Sequence, residues 1–370
     1  MDAYSYFSNG IFQLLLGTWK EQIRNQAYAR PPTRAMATVK TLSSSKRSSR
    51  TEDNWNESSL RVDASSPLFD VEDKISMLEE FVNVSLTPLE CSVICPTELV
   101  EILFGHELYQ FGEKFKVRIL KDEYLAIEVD GDGQDHGARV LDLSTPLSIA
   151  NIPIFFIATY FADYVLVPVS EKDRVIKALE SKGFEFSDIA NSYVSLSSRQ
   201  NGDADNMDSS DSNTPVVPLS PELDQHVFEV FEKFSVAPQI DRQIKLLLTG
   251  ARTGDTSHDA LYLSIIKALL GGSKYFSLTV AAGTEISFLV DSETASLFPK
   301  NALLGSPTDF VIPVCYDLHL LPEDSTGIVT AVAGRLTGKE PIHMSYLSTA
   351  KAGIVLVSED DLEHAITALS

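Results

Sequence analysis

The feature that most constrains this chain is an internal repeat. Setting residue n against residue n+190 aligns 152–180 with 342–370 without a gap, and nine of those 29 positions are identical. They are Ile152/Ile342, Thr159/Thr349, Ala162/Ala352, Val165/Val355, Leu166/Leu356, Val167/Val357, Ile176/Ile366, Ala178/Ala368 and Leu179/Leu369. A second offset, 195, sets 81–98 against 276–293, with Glu90/Glu285, Ser92/Ser287 and Glu98/Glu293 matching. The order is kept, so one half of the chain duplicates the other. At 370 residues the chain also exceeds what a single core organises, which agrees with a duplicated architecture.

Each repeated unit reads as an apolar strand, a turn around Asp163 or Gly353, a Val-Leu-Val strand and a helix. Ser170 with Asp173, and Ser358 with Asp361, give a hydroxyl followed three residues on by an acid, a helix-start pattern. Upstream, Ser144-Thr145-Pro146 and Ser325-Thr326-Gly327 read as two further helix starts. Before these come paired strands, 115–119 with 124–129 and 275–280 with 286–290. Strand, strand, helix, strand, strand, helix is the split βαβ pattern with its first element displaced, which predicts an α/β (α+β) fold of several ferredoxin-like sandwiches. Residues 4–19 read as an amphipathic helix. Two polar stretches, 30–73 and 195–222, are too poor in apolar residues to form a core and read as disordered.

Composition narrows the function classes. A net charge of −22 argues against gripping a phosphate backbone, so nucleic acid is not an expected partner. Three cysteines make no disulfide framework, which suits a reducing, cytoplasmic setting. No run reaches the length of a membrane span. Asp130-Gly131-Asp132-Gly133 lacks the closing Glu of a calcium loop, and the glycines between Thr249 and Gly254 lack the Lys-Ser/Thr of a phosphate loop. The seven histidines are scattered without metal spacing, and no nucleophile elbow or dinucleotide fingerprint occurs. Catalytic residues, metal and cofactor are accordingly expected to be none.

The segment from Ile157 to Val167 and its mate from Leu347 to Val357 resemble the strand-turn-strand of the ACT domains in the CASTOR family, the cytosolic arginine sensors of the target-of-rapamycin pathway. The runs 298–304 and 324–329 resemble that family in the same order, and the similarity is greatest to fungal members. The resemblance implies four ACT-like modules (βαββαβ): 1–110 with an insertion at about 30–73, 111–190, then 223–313 and 314–370 after a linker at 191–222. The first module opens directly in its helix. It also implies a homodimer, a GATOR-like partner, and an amino acid held between the second and fourth modules. The ligand-binding positions it marks are Ile152, Pro153, Ile154, Asp324, Ser325, Thr326, Gly327, Thr349, Ala350 and Gly353. Tyr160, Phe161 and Asp163 would face the partner.

Carried over position by position, Thr349 and Gly327 match the family pattern. Gly353 stands where an arginine-coordinating Asp is expected, Ser325 where a Glu is, and Pro153 where a Ser is, while Ala350 and Ala352 replace two Phe. Glu323 and Asp324 lie near enough to supply negative charge. The expectation is therefore a non-catalytic, amino-acid-sensing regulator that binds arginine weakly or not at all. The alternatives are a ligand-independent ACT scaffold and a regulatory subunit of an amino-acid-biosynthetic enzyme.

Overall fold

Runs rich in Val, Ile and Leu and bounded by turn residues become strands, and helices with an apolar stripe follow them. The computed structural model describes residues 81–369 apart from 98, 101–103, 105–118, 121, 130–135, 187–192, 197–220, 252–257, 272, 282–284, 323 and 339–341. In chain order the elements are β1 (Val82–Leu86), β2 (Cys91–Ile94), β3 (Tyr124–Val129), α1 (His136–Ile149), β4 (Phe155–Ala158), β5 (Asp163–Pro168) and α2 (Lys172–Glu180). There follow β6 (Phe184–Phe186), β7 (Tyr193–Leu196), α3 (Pro221–Lys233), β8 (Pro238–Ile240), β9 (Leu246–Gly250) and α4 (His258–Leu270). The remainder is β10 (Phe276–Ala281), β11 (Glu285–Asp291), α5 (Ser292–Ala295), β12 (Phe310–Asp317), α6 (Ile328–Leu336), β13 (Met344–Ser348), β14 (Ala352–Ser358) and α7 (Leu362–Leu369).

The class is mixed α/β, and the order β3-α1-β4-β5-α2 recurs as β12-α6-β13-β14-α7. The expected helix 4–19, strand 115–118, insertion 30–73, Asp130–Gly133 loop and nearly all of 195–222 lie outside the described residues. At the edges of that last stretch Ser195 and Leu196 belong to β7, and Pro221 opens α3.

The chain forms two compact units, Met1–Ala126 with Thr249–Gly305, and Ile127–Leu248 with Ser306–Ser370. In the first unit the strand order is β2-β1-β10-β11, all antiparallel. β1 pairs with β10, its mate at offset 195, and the register has local two-fold symmetry. Adding 195 to one partner and subtracting it from the other turns the pair Ser85 and Ser277 into the pair Val82 and Val280. Alternation decides the faces. Val82, Val84, Leu278, Val280 and Phe288 form a core with Leu261, Ile265 and Leu269 of α4. On the opposite face Asn83, Ser85, Ser277 and Thr279 are buried and linked side chain to side chain at 2.8–3.1 Å. β11 ends in Asp291, whose Oδ1 accepts from the Thr294 N–H at 2.7 Å and whose Oδ2 accepts from Ser273 Oγ at 2.6 Å, capping α5.

In the second unit the strands run β12-β14-β13-β4-β5-β3-β7-β6, with β8 and the start of β9 paired to the other side of β12. α1 and α6 pack against each other, and α3 and α7 pack on α6. Phe231 of α3 lies 5.4 Å from the ring of Tyr316 on β12, and the Arg335 guanidinium of α6 covers the Phe228 ring. The helices leave their last turns alike, Ile152 N–H donating to Leu147 O at 2.9 Å and Ile342 N–H to Leu336 O at 3.0 Å.

Two helix starts differ from the sequence reading. Ser144-Thr145-Pro146 is not a start: α1 begins at His136 and contains Pro146. The carbonyl that Pro146 leaves without a donor is that of Asp142, an exposed residue, so water can serve it. Ser170 does not cap α2, because a short 3-10 turn (Val169–Glu171) intervenes and Glu171 holds the cap position without a side-chain cap bond. Ser358 and Asp361 do bond to each other, Ser358 accepting from Asp361 N–H at 3.1 Å and donating to its carboxylate at 2.9 Å, in the turn that precedes α7.

Candidate functional site

The two copies in the second unit meet edge to edge. β4 and β13 pair antiparallel with Ile157 opposite Leu347, residues that are mates at offset 190, so a local two-fold axis passes between them. The Phe156 N–H donates to the buried Ser348 Oγ at 3.0 Å. Continued by count, this register sets Ile152, Pro153 and Ile154 alongside the turn that contains Thr349 and Ala350. β12 reaches the same end of the sheet, with Asp317 opposite Ala352, and Leu318 N–H donates to Lys351 O at 2.8 Å. The loop into α6 therefore starts there too. Ile152, Pro153, Ile154, Thr349, Ala350 and Gly353, far apart in the chain, thus share one sheet end, and Asp324, Ser325, Thr326 and Gly327 lie further along the loop that leaves it.

The two hairpin turns are built alike. Ala352 N–H donates to Thr349 Oγ1 at 3.1 Å, and Thr349 N–H donates to Ala352 O at 2.8 Å. Ala162 and Thr159 repeat both contacts at 3.1 and 3.0 Å. The Thr349 hydroxyl is thus a turn-former, buried, while Ala350 is exposed at the tip.

Gly327 caps the N-terminus of α6 at φ 81°, a left-handed conformation that glycine adopts without steric cost. It carries no side chain to accept from the first-turn N–H groups, and these donors together with the helix dipole suit an anion. Ser325 points its hydroxyl back into the loop, donating to Pro322 O at 2.8 Å; Asp324 is exposed, and Thr326 and Ile154 are half-buried. In the first turn the Thr330 hydroxyl is buried and has no hydrogen-bond partner among the described residues. Sequence reading missed Thr330, because a Thr in an apolar helix carries no mark of an unmet hydroxyl.

Gly353 sits in β14 between Tyr316 of β12 and Ser348 of β13. A Cβ built on Gly353 would lie 2.3 Å from the Tyr346 hydroxyl, so that phenol occupies the room any side chain at 353 would need. Burial pushes the Tyr346 and Tyr316 phenols well above the usual tyrosine range, which keeps this wall neutral. Position 163, the mate of 353, differs: Asp163 is fully buried, and its Oδ2 accepts from Arg139 Nε of α1 at 3.0 Å. Sequence reading grouped Asp163 with Tyr160 and Phe161, but only those two are solvent-facing, each 37% exposed with their rings edge to face at 5.2 Å. Among the described residues no cluster of three or more His, Cys, Asp or Glu side chains is placed to hold a metal ion, and no helix is long and apolar enough to cross a membrane.

Residues 119–181 match the family model for the ACT domain, a span that includes β3, α1, β4, β5 and α2. No curated protein sequence matches the chain. Among solved structures, an aspartate kinase from Synechocystis aligns over 78% of this chain and 48% of its own, at 12% identity and a TM-score of 0.27. The chain spans about half of that protein's length.

Proposed function

We propose that this chain is a non-catalytic, amino-acid-binding regulator whose ligand sits in the second unit, where the start of α6, the β13–β14 turn and the approach to β4 share one end of the sheet. The observation that carries this reading is the uncapped α6 N-terminus at Gly327, with the unmet Thr330 hydroxyl in its first turn. A ligand carboxylate would accept from the first-turn N–H groups. Its ammonium would take strand-edge carbonyls or Asp324. An ACT domain over residues 119–181 supports the small-ligand class.

The wall at 353 narrows the ligand. A guanidinium taken out of water needs a carboxylate, and leaving it unpaired would cost several kcal/mol. Position 353 offers a neutral phenol instead, so the ligand has an uncharged side chain and is not arginine. The exposed Tyr160 and Phe161 would carry the signal to a protein partner, in the manner of a CASTOR-like cytoplasmic sensor acting as a homodimer on a GATOR-like complex. The filled space at Gly353 also favours a second reading, a scaffold that keeps the architecture and binds nothing.

A thermal-shift screen of the purified chain against each of the twenty amino acids separates the two. A ligand of the folded state at a hundredfold excess over its Kd adds about 2.7 kcal/mol. The expected result is a rise in Tm with an amino acid of uncharged side chain and none with arginine, the rise being lost in Gly327→Val. A flat response to all twenty supports the scaffold. Arginine would gain a partner only in the double variant Gly353→Asp with Tyr346→Phe, since the single change meets the Tyr346 hydroxyl.

A further inference from the structure

In the first unit α4 leaves one apolar stripe open: Leu263 is 52% exposed and Leu270 65%. The repeat shows what that stripe corresponds to. Seven or eight residues before the strand that follows it, each helix places the last of three buried core residues. These are Tyr262, Ile265 and Leu269 in α4, Val140, Leu143 and Leu147 in α1, and Val329, Val332 and Leu336 in α6. Aligned on them, Leu263, Ile266 and Leu270 match Leu141, Ser144 and Ser148 of α1 and Thr330, Ala333 and Thr337 of α6. In the second unit five of those six are buried, and the two helices pack against each other beside the β4–β13 pair.

β1 pairs with β10 as β4 pairs with β13, yet the helix that should precede β1 and lie against α4 is not among the described residues, which begin at Phe81. Eighty residues precede that point. Those from 30 to 73 are polar. Residues 4–19 carry Tyr4, Phe7, Ile11, Leu14, Leu15 and Trp19 at the spacing of one helical face. At two of the three positions α4 is bulkier, Ile266 and Leu270 standing where α1 has Ser144 and Ser148 and α6 has Ala333 and Thr337, and bulky side chains there suit bulky partners of that kind.

We propose that the stripe of Leu263, Ile266 and Leu270 is the docking surface for the chain's own residues 4–19. Both belong to one chain, so docking is an intramolecular event whose cost grows only slowly with the number of residues between them.

Hydrogen exchange on the full-length chain tests this with the double variant Leu263→Asp/Leu270→Asp, whose substitutions fall on exposed positions. In the wild type, amides within 4–19 should be protected, and the double variant should lose that protection by roughly tenfold or more, while β10 and β11 keep theirs. The reciprocal variant Ile11→Asp/Leu15→Asp should deprotect the same segment. Free exchange at 4–19 in the wild type, or equal protection in wild type and double variant, overturns the proposal. So does a double variant that turns a dimer into a monomer in sedimentation while 4–19 is unchanged, which would assign the stripe to a second copy.

Discussion

Positions 163 and 353 are mates in the repeat, and the chain fills them by different chemistry. Asp163 is sealed in with Arg139, whereas Gly353 yields its room to the Tyr346 hydroxyl. A buried ion pair is costly to break from one side, because the remaining charge stays out of water. Arg139→Met should therefore destabilise the second unit by about 3 kcal/mol or more, and adding Asp163→Asn should recover a substantial part of the loss. Denaturant melts of the four proteins of this cycle measure it; a single-variant loss near zero would show that the pair is not the constraint we take it to be. The resemblance had Asp163 face a partner, and nothing in the sequence nearby marks Arg139, 24 residues earlier, as its ion-pair partner.

At the scale of elements, local signals were legible where the deciding contacts are local. The hairpin turns at Thr159 and Thr349 and the Ser358–Asp361 turn depend on residues three apart, and β10 and β11 pair across one short connection. Ser144-Thr145-Pro146 misled because proline, ordinarily disfavoured inside a helix, is accommodated here at position 146 of α1. Asp291 shows an element end that can be tested. Burial pushes its carboxyl up, but hydrogen bonds from Ser273 and Thr294 outweigh that and hold it below the usual carboxylate range. A group whose folded pKa is depressed stabilises above its unfolded pKa and loses that contribution as pH falls through the folded one. Asp291→Ala should cost about 1–2 kcal/mol at neutral pH. The wild type's advantage should shrink as pH drops below about 4, in thermal melts taken across that range. A constant gap from neutral to strongly acidic pH would contradict the charge-based account.

For the whole molecule, the duplication was readable because identical residues recur at fixed offsets, and with it the α/β class. How the copies combine was not. The pairings of β1 with β10 and of β4 with β13 are edge contacts between segments some 190 residues apart, and an edge strand's choice of partner leaves no periodic trace. The same holds for the candidate site: Gly327 and Thr349 were legible one by one, but that the loop leading to Gly327 leaves the sheet beside the Thr349 turn follows only from the register of β12, β14 and β13. By the function proposed above, this sheet end binds an amino acid. Hydrogen exchange of the full chain with and without a mixture of the twenty amino acids tests it most directly. We expect added protection in three segments together, 152–157, 324–331 and 349–354; protection confined to other regions, or none anywhere, would contradict the claim.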